Sequence, residues 1–273
     1  STMAVPCTLD VPAKAKVVLK WQVKAGDGGT AVVFRKTDKA APGAGIVEAR
    51  NLRKVYDSGK VKVDALRGVD LSVREGEMVA VMGPSGCGKT TLLNCISGLD
   101  DLTDGQVLIR GRLLTDMTDR ERTRYRAEKI GFIFQAYNLL PVLTAVENVE
   151  LPLLLSGTVP KEARKKALES LRTVGLEEWK DHKPSELSGG QQQRVTIARS
   201  LVNRPEIVFA DEPTGNLDSE SSKEIMSLLK KLNKENRQTF IVVTHDYNIG
   251  RMADRVVMMK DGAIEKDFVP APY

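Results

Sequence analysis

Eight residues constrain this chain more than any others: Gly83-Pro84-Ser85-Gly86-Cys87-Gly88-Lys89-Thr90. They fit GxxxxGK[ST], the spacing of a loop that wraps phosphate groups. An apolar run, Met78-Val79-Ala80-Val81-Met82, leads in, and a helix-like run from Thr91 through Leu92, Leu93 and Ile96 leads out. Strand, loop and helix in that order are the context the motif requires, and they predict an α/β fold with the loop at the end of a strand. The residue types follow from the chemistry. Gly83, Gly86 and Gly88 let backbone N–H groups turn toward an anion with no Cβ in the way. The following helix points its positive end at the same place. Lys89 has the reach for β- and γ-phosphates, and Thr90 supplies a hydroxyl for Mg²⁺. A nucleoside triphosphate is the implied ligand.

The rest of the chain alternates apolar and amphipathic runs. Strands are expected at residues 46–50, 69–73, 106–110, 130–134, 206–210, 239–243 and 255–259, with a last one ending at Phe268. Helices are expected at 119–128, at 161–174, from Gly189 to Asn203, and from 219 to about 235, where Ile225, Leu228, Leu229 and Leu232 recur on one face. Residues 138 to about 180 read as helical, with breaks at Pro152, Gly157, Pro160 and Gly175. Buried-type strands alternating with helices predict a mostly parallel sheet covered on both faces, with active groups at the strands' C-terminal ends. Residues 1–45 have a different texture. Two β-like runs, 16–23 and 31–35, flank a Gly-rich turn, and a Pro/Gly/Ala stretch closes the segment, so an appended hairpin or a flexible extension is expected there. Residues 269–273 read as a C-terminal tail.

Composition narrows the setting. The formal net charge of +5 over 273 residues suits an ordinary solvated surface, and no nucleic-acid partner is expected. The longest apolar runs, such as 151–155, are far too short to cross a bilayer, and the N-terminus lacks the apolar core of a secretory signal. Cys7, Cys87 and Cys95 make no metal spacing, which points to a reduced cytosolic compartment. Cys87 fits as a small filler, although an N–H-rich loop is also a setting that activates a thiol.

Two further stretches carry chemistry. The strand-like run Ile207-Val208-Phe209-Ala210 delivers Asp211 and Glu212 to its C-terminal end. Asp211 is placed as a second Mg²⁺ anchor, and Glu212 is placed to polarise an attacking water. Leu187-Ser188-Gly189-Gly190-Gln191 opens a helix with two glycines and a hydroxyl, a second site fit for phosphate. With a single phosphate loop in the chain, one economical arrangement is that this second site completes another copy's nucleotide, two chains facing head to tail over two ATP molecules.

Taken together, these stretches resemble the ATPase subunit of ABC transporters over about residues 46–268. The resemblance implies a P-loop NTPase of the ABC-ATPase fold: a RecA-like parallel-sheet core, an antiparallel β subdomain, and an α-helical subdomain at about 136–185. Residues 83–90 match Walker A, and 207–211 with Glu212 match Walker B and its catalytic glutamate. Residues 187–191 match the ABC signature. Gln135, after Gly131-Phe132-Ile133-Phe134, matches the Q-loop glutamine, which in the family touches Mg²⁺ and senses the γ-phosphate. Asn216-Leu217-Asp218 matches the D-loop, used for contact across the dimer. His245 matches the switch histidine, and Tyr56 the aromatic that stacks on adenine. The implied catalytic residues are Glu212, His245 and Lys89. The implied nucleotide contacts are Tyr56, Gly83, Pro84, Ser85, Gly86, Cys87, Gly88, Lys89, Thr90, Thr91 and Gln135, with Ser188, Gly189, Gly190, Gln191 and Asp218 acting from the dimer contact. Thr90, Gln135 and Asp211 are the implied Mg²⁺ ligands. His182 matches no motif and is expected to be structural.

Residues 131–135, 139–149 and 211–218 are also similar to the lipoprotein-releasing and macrolide-export subfamily. That finer resemblance implies an ATP-hydrolysing subunit, cytoplasmic and peripheral on the inner face of the cell membrane. It would pass its work to separate membrane permease subunits, with contact expected around residues 137–155, including Leu139, Leu140, Leu143 and Leu151. The cargo implied is a lipoprotein, lipid, peptide or macrolide-like molecule. A second reading is a non-transport motor that signals through a membrane partner to cell-wall enzymes. A soluble ABC ATPase of DNA repair or translation ranks lower, since such chains carry two cassettes or long coiled-coil or zinc insertions.

Overall fold

The computed structural model describes residues 35–36 and 45–270. Two sheets organise them. The first has seven strands, in spatial order β1 (Arg35–Lys36), β11 (Ala263–Val269), β10 (Arg255–Lys260), β4 (Met78–Met82), β9 (Thr239–Thr244), β8 (Ile207–Asp211) and β7 (Ile130–Phe134). From β10 to β7 neighbouring strands run parallel, while β11 runs antiparallel to both β10 and β1. The second sheet is antiparallel: β3 (Lys62–Val73), β2 (Val47–Asp57), β5 (Asp104–Ile109) and β6 (Arg112–Leu113).

The parallel strands are buried on both faces, which explains their unbroken apolar sequences. Side chains alternate along a strand. Met78, Ala80 and Met82 therefore join Val208, Ala210, Phe240 and Val242 in one core. That core is closed by α3 (Ala145–Leu155), α4 (Pro160–Thr173), α5 (Gly189–Leu201), α6 (Ser219–Asn236) and α7 (Tyr247–Gly250). Val79 and Val81 join Ile207, Phe209, Ile241 and Val243 in a second core, closed by α1 (Lys89–Ser97) and the inner face of the antiparallel sheet. The charged helix α2 (Asp119–Lys129) buries no residue fully and starts at a Thr118–Glu121 capping box. Among the described residues no helix is long and apolar enough to cross a membrane.

Three expectations change. The strands expected at 46–50 and 69–73 are the buried ends of a long hairpin, β2–β3. Its register shifts near Asn51, which sits at φ +48, and beyond that point polar residues face solvent, so backbone pairing outruns the apolar pattern. Residues 138–144 form a loop, not a helix. Tyr137 and Asn138 both have positive φ, and Thr144 caps α3 in a box with Glu147. Pro152 does not break α3. The helix runs through it to Leu155, held by Val149 and Leu153 in the core, while Ser156 Oγ donates to the Pro152 carbonyl at 2.8 Å. Pro160 instead occupies the first turn of α4, where its missing N–H costs nothing. The hairpin expected at 16–23 and 31–35 lies outside the described residues, apart from Arg35 in β1, as does the tail from 271 onward.

Candidate nucleotide site

Because β4, β7, β8 and β9 run parallel, their C-terminal ends share one edge. They deliver there the phosphate loop, Gln135, the pair Asp211–Glu212, and His245 respectively. The loop is clamped between the two sheets. Gly83 has φ +153, and a Cβ there would collide with the Met259 carbonyl oxygen of β10; one at Gly88, φ +101, would collide with the Ala65 carbonyl oxygen of β3. Gly262 N donates to Cys87 O at 3.0 Å and Arg67 N to Gly262 O at 2.8 Å, tying loop, turn and second sheet together. A cleft of about 700 Å³ opens over the loop. Of the expected contacts, Tyr56, Ser85, Gly86, Gly88, Lys89, Thr90, Thr91, Gln135, Glu212 and His245 line it. Gly83 and Pro84 form its first turn, and Cys87 is buried beneath it.

Lys89 Nζ donates to Gly83 O at 2.8 Å and to Pro84 O at 2.9 Å, so its ammonium is held against the loop. Thr90 Oγ1 donates to Asp211 Oδ1 at 3.1 Å. Burial pushes the Asp211 carboxyl above its usual range; the Thr90 bond opposes this, Glu212 adds to it, and Lys89 opposes it. Glu212 lies just past β8 at φ +46, a strained conformation for this residue type, with its N–H bonded to Val243 O at 3.0 Å. Its carboxylate Oε1 is 2.9 Å from His245 Nδ1, so the end of β9 holds the carboxylate at the end of β8. Gln135 faces the same cleft, but its side chain is engaged elsewhere: Nε2 donates to Asn216 Oδ1 at 3.2 Å, and Asn216 Nδ2 returns a bond to Gln135 O at 2.9 Å.

The second group of expected contacts stands apart. Ser188, Gly189, Gly190, Gln191 and Asp218 do not line the cleft. Ser188 caps α5 in a reciprocal box with Gln191. Asp218 caps α6, accepting from Glu220 N, Ser221 N and Ser221 Oγ. The two helix starts are neighbours, since a Cβ on Gly190 would lie 3.6 Å from Ser221 Oγ.

Residues 66–215 match the family described as ABC transporter. An ABC transporter ATP-binding protein of Methanocaldococcus jannaschii, MJ0796, is 50% identical over 229 residues, 81% of this chain and 96% of that protein. The chain belongs to the ABC transporter family. A Thermotoga maritima ABC transporter ATP-binding protein is 50% identical over 220 residues, 81% of this chain and 94% of its own. The macrolide export ATP-binding/permease protein MacB of Syntrophobacter fumaroxidans is 46% identical over 224 residues, 81% of this chain and 31% of that protein. A solved structure described as a dimeric post-hydrolysis state of the MJ0796 cassette bound to ADP and Pi superposes with a TM-score of 0.76 at 48% identity, covering 83% of this chain and 100% of that one. This chain is therefore an ATP-binding subunit of an ABC transporter, and its family hydrolyses ATP.

As an ABC ATPase, the chain offers Mg²⁺ two converging hard oxygen donors, Thr90 Oγ1 and Asp211 Oδ1. Among the described residues no group of three or more His, Cys, Asp or Glu could hold a metal, so the pair fits an ion that brings phosphate and water ligands of its own. Several residues around the site carry no motif in the sequence. Asp100 bonds Tyr56, and Gln193, wholly buried, donates from Nε2 to Pro213 O at 2.6 Å beside Glu212. Gln193 belongs to the polar run Gln191-Gln192-Gln193-Arg194, which carries no sign that one amide points inward. His182, expected to be structural, packs its ring 4.8 Å from Trp179.

Proposed function

We propose that two copies of this cassette close over two ATP molecules, and that hydrolysis there drives export through separate membrane permease subunits. One observation carries the reading: the residues of this chain suited to phosphate fall into two groups, a cleft around Lys89, Thr90 and Glu212, and a helix start at Ser188–Gly190 that stands outside it. A second copy turned head to tail would bring the two groups together, and the M. jannaschii cassette structures are described as dimeric.

In this reading the loop N–H groups and Lys89 hold the β- and γ-phosphates, and Tyr56 carries the adenine. Thr90 and Asp211, with Gln135 nearby, would hold Mg²⁺, which would neutralise phosphate charge. Glu212 accepts a proton from the attacking water as its oxygen bonds to the γ-phosphorus. The bond from that phosphorus to the bridging oxygen breaks, leaving ADP and phosphate. His245 holds the Glu212 carboxylate in line. Lys89 and the loop dipoles stabilise the charge spread over the transition state. Ser188, Gly189, Gly190 and Gln191 of the opposite copy cap the phosphates, with Asp218 at the contact.

The surface offered to a permease is the loop and helix following Gln135. Leu140 and Val142 are exposed there, as are Leu154 and Leu155, while Leu139 packs on the core and Leu143 and Leu151 are half-buried. Residues 46–268 would form the cassette and about 136–185 its helical subdomain, working at the cytoplasmic face of the membrane. The name of MacB joins macrolide export to a permease, and a related export of a lipid, lipoprotein, peptide or macrolide-like cargo is our reading. Glu212→Gln tests the chemistry. It should bind ATP and elute as a dimer with ATP and Mg²⁺, while phosphate release falls about 10²–10⁴-fold. Normal turnover by that variant would remove Glu212 from the role.

A further inference from the structure

Tyr56 turns a ring toward the cleft with 42% of the residue exposed, yet its position is closely determined. The phenol O–H donates to Asp100 Oδ2 at 2.7 Å. The other oxygen of that carboxylate accepts from Lys54 Nζ at 2.6 Å, and Lys54 Nζ also donates to Asp101 O at 2.6 Å. The same ammonium lies 4.8 Å from the centroid of the Tyr56 ring. One face of the ring therefore carries a cation, which leaves the other for a ligand. Rotamer freedom that a bare surface tyrosine would lose on binding is already lost here.

Asp100 owes its place to α1. The helix ends at Gly98, at φ +71, and the chain folds back so that Leu99 N and Asp100 N both donate to Asn94 O, at 2.9 and 3.2 Å. Beyond it, Thr103 N donates to Arg53 O and Val55 N to Thr103 Oγ1, both at 2.9 Å, which staples the turn to β2 on either side of Lys54. The helix that begins with Lys89 in the phosphate loop thus ends in the carboxylate that holds Tyr56. One rigid element sets the spacing between phosphate cradle and ring.

We propose that Asp100, with Lys54, is a positioning residue of the nucleotide site: it holds Tyr56 as a one-faced platform for the base at a distance from the phosphate loop fixed by α1. This rests on the reading of Tyr56 as the base platform. Burial, and after it the Asp100 bond, raise the Tyr56 phenol above its ordinary value, which provides a spectroscopic handle.

The test is calorimetric binding of ATP and of inorganic triphosphate, each with Mg²⁺, to the full chain and its variants. Tyr56→Ala should weaken ATP by about tenfold, the scale of one lost base–aromatic stack, and leave triphosphate unchanged. Asp100→Ala should weaken ATP about three- to tenfold, again sparing triphosphate, because it loosens the same stack without deleting the ring. In turnover this appears as a raised KM at unchanged kcat. Asp100→Asn keeps an acceptor for the phenol and should recover part of the loss, and Lys54→Met should lose part of it. The Tyr56 phenolate absorbance, identified by its disappearance in Tyr56→Phe, should titrate at lower pH in Asp100→Ala. If Tyr56→Ala weakens ATP and Asp100→Ala does not, the positioning role is wrong and the platform stands. If Asp100→Ala weakens ATP and triphosphate alike, Asp100 serves the helix as a whole and the proposal is overturned. If Tyr56→Ala leaves ATP binding intact, the platform reading itself fails and takes the proposal with it.

Discussion

Gly88 sits at φ +101 with the Ala65 carbonyl oxygen inside contact distance of where a Cβ would be. Gly88→Ala meets both obstacles. The left-handed backbone alone costs roughly 1–2 kcal/mol for an L-residue, and the clash is with backbone that other bonds pin in place. We expect this variant to lose ATP binding and to unfold at lower temperature, read by calorimetry and by a melting curve with and without ATP. Cys95 makes a different residue-scale prediction. Burial on the core face of α1, and after it the charge of Asp100, push its thiol from 9.0 up to about 11. The folded state therefore keeps the proton over a range where the unfolded chain releases it. The stabilising contribution is complete below pH 9.0 and is lost as pH rises through about 11. Denaturant unfolding between pH 8 and 11 should show a shallower decline for Cys95→Ala than for the parent chain, from a lower starting stability. At this scale the sequence is legible where chemistry forces a residue type, as at Gly83, Lys89 and Glu212. It is opaque at Asp100 and Gln193, whose roles come from partners 44 and 20 positions away.

The elements were legible where burial repeats along a strand or helix, and obscure where a single side chain organises a loop. The bounds of β4 and β7 follow directly from their apolar runs. Residues 140–144 do not, because their conformation depends on Asn148, which is 0% exposed. Its Nδ2 donates to Leu140 O, Leu143 O and Thr144 O at 3.1, 3.1 and 3.0 Å, and its Oδ1 accepts from Leu140 N at 2.8 Å. Read along the sequence, Asn148 is merely a polar position within an apolar helix. Asn148→Ala should leave part of that loop's backbone without partners and cost about 2–3 kcal/mol in urea unfolding. Arg199 should limit the damage at the loop's start, since its guanidinium bonds Tyr137 O and Asn138 O at 2.9 and 2.6 Å. Nucleotide affinity should change little, because the bonds of Lys89, Thr90 and Asp211 do not involve this loop.

The described residues form two sheets whose strand order no local pattern announces, since β4 pairs with β9 and β10 from the far end of the chain. What the sequence suggests at this scale is a second stretch suited to phosphate, Ser188 to Gln191, besides the loop at 83–90, with a shared site between two copies as one economical arrangement. The structure keeps Ser188 and Lys89 in separate places, each in a well-bonded setting, Ser188 as the cap of α5 and Lys89 against its own loop. If each site is shared between copies, two different defects can cancel. A Lys89→Ala chain retains its signature end, and a Ser188→Arg chain retains its phosphate loop. Each alone should hydrolyse ATP very slowly, and each pure dimer has two broken sites. In an equimolar mixture, half of the two-fold dimers pair unlike chains and hold one intact site out of two, so phosphate release should recover to about a quarter of the parent rate. If each chain worked alone, mixing would give only the average of two crippled rates. The rescue should also require chains that exchange between dimers, and should vanish when the Ser188→Arg chain, which supplies the intact loop, additionally carries Glu212→Gln. That last control separates a shared site from a general stabilising effect of one chain on another, because Glu212 belongs to the half of the site that Lys89 occupies.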